Sequence, residues 1–202
     1  MAVLVTGGAG YIGSHMVLRL CDAGEDVVVL DNLTTGFDWA IDPRARLVEG
    51  SAGDMELVGK LIGEHGIREI VHFAGSIVVP ESVADPLKYY GNNTANSRNL
   101  IEAAVRGGVR HMVFSSTAAV YGMTGLEPVS EESVLSPMSP YGRSKLMTEM
   151  MLADVAAAHP LTYGALRYFN VAGADPKKRS GQSTPRATHL IKVACQAALG
   201  QR

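Results

Sequence analysis

Short apolar runs alternate with longer stretches of helical periodicity along the chain. Ala2–Thr6 (AVLVT), Asp26–Asp31 (DVVVLD), Arg46–Glu49 (RLVE), Glu69–Phe73 (EIVHF), His111–Ser115 (HMVFS) and Thr162–Tyr168 (TYGALRY) read as strands. The spacing predicts helices near 12–23, 54–65, 86–106, 140–159 and 187–199. Strands this continuously apolar are buried on both faces, as in a parallel sheet covered by crossover helices. Right-handed crossovers then give an α/β fold, a doubly wound, mostly parallel sheet with helices on both faces. The Gly-, Ser- and Pro-rich stretch 173–185 carries Lys177-Lys178-Arg179 and reads as a solvated loop.

The helix expected over 140–159 has a clear start. Ser139 can cap it and Pro140 suits its first position. Leu146, Met147, Met150 and Met151 give it an apolar stripe. Tyr141 and Lys145 lie four apart, one turn from each other on one face. A phenol has a reference pKa of about 10, so service as a base near neutrality needs a drop worth about 3–4 kcal/mol. An ammonium at about 4 Å can supply roughly that much. Such a pair is common by chance and gains meaning only from what surrounds it.

The first turn supplies that context. Thr6-Gly7-Gly8-Ala9-Gly10-Tyr11-Ile12-Gly13 joins the first expected strand to the first expected helix. Glycines at 7, 10 and 13 form G-x-x-G-x-x-G, a variant of the dinucleotide fingerprint. The turn must be tight, its backbone must approach a pyrophosphate, and the helix N-terminus offers N–H donors to the anion. This is the Rossmann-like arrangement. Asp31 closes the second strand, where an acid accepts hydrogen bonds from ribose hydroxyls and repels a 2′-phosphate. Asn32 rather than Arg follows, so NAD is favoured over NADP. Asp31 can also cap the turn DNLTTG, and the two roles are compatible.

Composition narrows the classes. The 202 residues are 47% apolar and 19% charged with net charge -2, which argues against a sequence-blind nucleic-acid binder. The six histidines and two cysteines show no metal-ligand spacing. No apolar run reaches membrane-spanning length. The opening MAVLVTGG has no basic flank and is expected to be strand rather than leader. Cys21 and Cys195 lie in helix-like segments and read as reduced core thiols of a cytoplasmic protein.

At this point several motifs act together. TGGAGYIG, DNLTTG, HFAG at 72–75, SSTAAVYG at 115–122, SPYGRSK at 139–145 and RYFNVAGA at 167–174 resemble the extended short-chain dehydrogenase/reductase superfamily. Within it the likeness is greatest to the UDP-glucose 4-epimerase family, and it runs the length of the chain. The resemblance implies NAD, a UDP-sugar substrate and a hydride cycle at the sugar C4. Tyr141 would take the 4-hydroxyl proton, Lys145 would lower the Tyr141 pKa and hold the nicotinamide ribose, and Thr117 would steady the 4-oxygen. Gly7, Gly10, Tyr11, Ile12, Gly13, Asp31 and Asn32 would hold the pyrophosphate and adenosine. Ser51, Ala52, Phe73, Ala74, Gly75, Asn92, Ser115, Tyr168 and Phe169 would complete the cofactor site. Asn170, with Thr117 and Tyr141, would touch the nucleotide-sugar.

The pattern also departs from the family. Gly50-Ser51 stands where the family has Gly-Asp, and Asp54 is expected to cap the next helix instead. Ile77 replaces a Lys found in some members. Ala118 and Ala119 leave no second acid–base pair, which favours transient oxidation over elimination. The resemblance divides the chain into an NAD-binding domain, 1–170, and the start of a substrate-binding region, 171–202. It implies a homodimer through helices near 86–106 and 140–159. A chain of this length is expected to fold around NAD and turn over UDP-sugar poorly. The rival readings are another nucleotide-sugar dehydratase or reductase, and a non-catalytic NAD-binding fragment.

Overall fold

A computed structural model describes residues 2–125, 127–185 and 189–201. Six parallel strands form one sheet: β1 (Ala2–Thr6), β2 (Asp26–Asp31), β3 (Arg46–Glu49), β4 (Glu69–His72), β5 (His111–Ser115) and β6 (Thr162–Leu166). Their order is β3-β2-β1-β4-β5-β6, so the winding reverses between β1 and β4. That reversal opens a crevice at the carboxyl ends of the central strands. β1 and β4 pair in register from Val3↔Glu69 to Thr6↔His72.

The period of two in the strands explains the two-sided core. Ala2, Leu4, Val28 and Leu30 pack on one face with Val58, Leu61 and Ile62 of α2 (Met55–His65). Leu100 and Ala104 of α5 (Asn96–Arg106) and Leu152 of α6 (Pro140–Ala158) join them. Val3, Val5, Val27 and Val29 point the other way, onto Val17 and Cys21 of α1 (Tyr11–Asp22). Every residue of β1 is therefore buried.

Local signals place the helix ends. The Asp54 side chain accepts from the N–H groups of Glu56 and Leu57, capping α2 as the sequence predicts. Gly66, in the left-handed region at φ 60°, ends it. Ser139 accepts from the Gly142 N–H at 3.1 Å and Pro140 opens α6.

Several expectations need correction. β4 stops at His72 because Phe73 and Ala74 both turn their N–H groups onto the Thr6 carbonyl. β6 stops at Leu166, before Tyr168. The single helix expected over 86–106 is α4 (Pro86–Tyr89), a π turn (Tyr90–Ala95) and α5, preceded by an unforeseen α3 (Val79–Ala84). The last helix, α7 (Leu190–Ala198), is shorter than 187–199, whose first two residues lie outside the described ones. The stripe on α6 splits: Met147 and Met150 are exposed while Met151 packs against the core, and the buried face is Gly142, Ser144, Lys145, Thr148, Glu149 and Leu152. Cys195 is exposed rather than in the core. Arg179 is not simply solvated, because it forks onto Asp175 and Asp22 and straps the loop after β6 to α1.

Two glycines give a test. A Cβ on Gly13 falls 2.1 Å from the Gly7 carbonyl oxygen, whereas one on Gly59 of α2 meets nothing within 4 Å. Gly13→Ala is expected to destabilise the fold by about 2–3 kcal/mol and Gly59→Ala to stabilise it by roughly 0.5–1 kcal/mol, read from urea denaturation midpoints.

Candidate functional site

The turn between β1 and α1 is built by close backbone approach. Gly7 sits at φ +72°, and a Cβ there lies 2.5 Å from the Ala74 nitrogen. A Cβ on Gly8 meets the Val29 side chain at 2.7 Å, a constraint the fingerprint does not mark. Gly10 caps α1 without a side-chain hydrogen bond, and no acid occupies the first helical turn. The N–H groups of Tyr11, Ile12 and Gly13 at that helix start are thus available to an anion. The Tyr11 phenol is turned away from them, donating to the Gly173 carbonyl at 2.7 Å.

Asp31 ties this turn to the end of β2. Its Oδ2 accepts from the Ala9 N–H and its Oδ1 from the Leu33 N–H, each at 2.9 Å. A carboxylate has about four lone-pair positions, so two remain for ribose hydroxyls. Asn32 is exposed and bonds Thr34. Ser51 accepts from the Gly53 N–H at 3.1 Å, and Ala52 is buried beside it.

The turn reaches the second half of the site through the exit of β4. Phe73, Ala74 and Gly75 are half-buried there. The Lys145 ammonium lies 3.4 Å from where a Gly75 Cβ would stand. Lys145 is 2% exposed, donates to the Ser115 carbonyl at 2.9 Å, and sits 4.9 Å from the centre of the Phe114 ring. Burial pushes its pKa down from 10.5 to about 8. Ser115 also bonds the Tyr168 phenol through its hydroxyl.

Tyr141 is half-buried next to this cluster, its ring edge-on to Tyr89 at 6.4 Å. The expectation that Lys145 lowers its pKa is corrected. Burial raises it, the neighbouring Thr117 side chain pulls it the other way, and Lys145 aims at Ser115 instead. Thr117 is buried at the end of β5 and accepts from the Ala119 N–H at 3.1 Å. The crevice therefore gathers Thr117, Tyr141, Lys145, Ser115 and Tyr168. Phe169 and Asn170 follow Tyr168 with both side chains exposed.

The sequence reading missed the residue next to Asn92. Asn92 donates to the Ser76 hydroxyl at 2.9 Å. Asn93, 2% exposed, accepts from the Ser76 N–H at 2.7 Å and donates to the Ser76 carbonyl and the Ser144 hydroxyl. Ser144 donates in turn to the Tyr141 carbonyl at 2.7 Å. Asn93 thus locks the β4 exit to the first turn of α6. The π turn that aims it inward leaves no periodicity signal, since a residue inserted into a helix looks like helix in sequence. His72, also fully buried, bridges Thr6 and Ser97, and burial with the nearby Lys145 charge holds its pKa down near 3.

Comparison with known proteins agrees with this geometry. The sequence model of the NAD dependent epimerase/dehydratase family matches residues 3–201. A UDP-glucose 4-epimerase from Azospirillum brasilense is 58% identical over 200 residues, which cover 99% of this chain and 58% of that protein. A crystal structure of UDP-glucose 4-epimerase from Brucella ovis in complex with NAD superposes with a TM-score of 0.95 at 42% identity, covering 100% of this chain and 62% of the other. The Bifidobacterium longum enzyme in complex with NAD+ and UDP gives 0.92 at 34% identity, with 100% and 63% covered. The chain spans about 60% of the length of the curated relatives it matches.

The Lys145 burial sets a pH test. The unfolded chain keeps the ordinary value of 10.5, so between pH 8 and 10.5 it holds a proton that the folded chain has released. Stability climbs with pH across that window, by up to about 3 kcal/mol, and the penalty is full below it. Lys145→Met is expected to lack this climb when urea denaturation is compared at about pH 7 and about pH 10.

Proposed function

Because this chain belongs to the NAD dependent epimerase/dehydratase family, we propose that it carries the cofactor and hydride-transfer half of a UDP-hexose 4-epimerase. The observation that carries the reading is the meeting of the uncapped α1 N-terminus and the Tyr141, Thr117 and Lys145 side chains across one crevice. The Gly7 and Gly13 cradle, which a Cβ would fill, fits a dinucleotide pyrophosphate. Tyr11, Ile12 and Gly13 give it backbone N–H donors, and Gly10 leaves the approach clear. Asp31 takes the adenosine ribose, with Asn32, Ser51 and Ala52 around the adenine end. Phe73, Ala74, Gly75, Asn92, Ser115, Tyr168 and Phe169 line the nicotinamide end.

Bound NAD supplies the hydride acceptor. The Tyr141 oxygen removes the proton from the sugar 4-hydroxyl, and the Thr117 hydroxyl, donor and acceptor at once, holds the 4-oxygen. The phenolate is the costly form of a half-buried tyrosine, and the Thr117 side chain is the group of this chain that favours it. After the 4-keto sugar has turned, the hydride returns to the opposite face of C4 and Tyr141 gives the proton back to the 4-oxygen, which completes the inversion. Asn170 and the region 171–202 belong to the sugar side, and 1–170 to the cofactor side. Met147 and Met151 line a groove of about 480 Å³ with Tyr90, Thr94 and Ala95, which suits a homodimer. Free cysteines suit a cytoplasmic enzyme.

The test uses this chain and the complete product of its gene, incubated with NAD and UDP-galactose. Formation of UDP-glucose is expected in the complete product, with Tyr141→Phe slower by at least about 100-fold at unchanged NAD affinity. A 4-keto-6-deoxy sugar as the main product would overturn the reading.

A further inference from the structure

Glu149 is the buried carboxylate on α6 that the chemistry leaves unused. It follows Lys145 by one helical turn and Tyr141 by two, on the same inward face. Its Oε1 accepts from the Ser116 hydroxyl and from Arg167 Nε at 3.1 Å. Its Oε2 accepts from Arg167 Nε at 3.0 Å and Nη2 at 2.6 Å. All its acceptor positions are occupied, so it has none left to offer a substrate. Arg167 is fixed from the other side by the Tyr121 hydroxyl at 3.3 Å, the Glu131 carbonyl at 3.1 Å and the Tyr121 ring beneath it.

This one carboxylate joins the three elements that carry the crevice. α6 brings Tyr141 and Lys145. Ser116 is the residue before Thr117 at the end of β5. Arg167 precedes Tyr168, whose carbonyl accepts from the Ala118 N–H at 3.1 Å. An apolar side chain at 149 could fill the space but could not fix direction, whereas a bidentate fork fixes distance and rotation together. A buried ion pair adds little net stability, so its retention here suits geometry better than energy.

Resting on the Tyr141 reading above, we infer that Glu149 is a positioning residue. Held by Arg167 and holding Ser116, it sets the register between β5 and α6 and thereby the Thr117–Tyr141 contact. The groups that face Tyr141 are Thr117 from the end of β5, Tyr168 from the segment after β6 and Tyr89 from α4, while Lys145 of its own helix turns to the Ser115 carbonyl.

The test reads that contact directly. Tyr141→3-fluorotyrosine places one 19F probe apart from the other tyrosines, and its ionisation is followed by NMR in the 202-residue chain. Thr117→Ala, which removes the hydroxyl that favours the phenolate, is expected to raise the ionisation midpoint by about half a pH unit or more. Ser116→Ala and the charge-neutral pair Glu149→Gln with Arg167→Gln are expected to raise it similarly, although none of those residues touches Tyr141. Ser116→Ala removes one hydroxyl and decides alone if the pair fails to fold. A midpoint moved by Thr117→Ala but not by Ser116→Ala overturns the inference while leaving the Thr117–Tyr141 contact in place. A midpoint indifferent to Thr117→Ala removes the contact and the inference with it.

Discussion

An ammonium group without water around it is the constraint that organises this molecule. Lys145 has its stem in the core and its charge against the Ser115 carbonyl and the Phe114 ring. Taking such an ion from water costs several kcal/mol, and one carbonyl and one ring offset only part of that. Its neighbours are consistent with the strain. His72, stacked on the same Phe114 ring, bonds two hydroxyls and is held neutral. Gly75 leaves out the Cβ that would crowd the ammonium. A side chain kept at such cost is one whose place is fixed by something other than stability.

The Gly-rich turn and the lysine are two ends of one packed unit. The Thr6 carbonyl accepts from both Phe73 and Ala74, which bends the chain out of β4 just where Gly7 must lie against it. The same bend delivers Gly75 to Lys145 and Ser76 to Asn93. Asn93 then holds Ser144 and, through it, the Tyr141 backbone. The Gly-rich turn and the start of α6 are therefore related through short backbone contacts and the Asn93 and Ser144 side chains.

Polar burial on α6 decides which of its faces turns inward. Leu146, Met147, Met150 and Met151 carry a helical period, and a lone amphipathic helix would bury them. In the fold Met147 and Met151 border the groove beside the π turn, Met151 also resting on the core, while Ser144, Lys145, Thr148 and Glu149 go inward. Each of these four finds a partner: Asn93, Ser115, the Ser144 carbonyl and Arg167. Polar residues can be buried when their hydrogen bonds are met, and all but the Ser144 carbonyl, one turn back in α6, come from distant parts of the chain.

Local chemistry was readable where neighbours in sequence are the partners. The five-residue alternation of β1, the Ser139-Pro140 start of α6, the Asp54 cap and the glycine spacing at 7, 10 and 13 are all determined within a few residues. The parallel sheet follows as well, because strands apolar on both faces have no other stable arrangement in water. The direction in which Lys145 points, the choice of Asn93 over its neighbour, the turn inserted at Tyr90–Ala95 and the bond from Glu149 to Ser116 were decided only in three dimensions. The Lys145, Asn93 and Glu149 bonds each bring together groups 17 to 33 positions apart in sequence, and hydrogen-bond energy is set by distance and angle, neither of which is written in residue spacing.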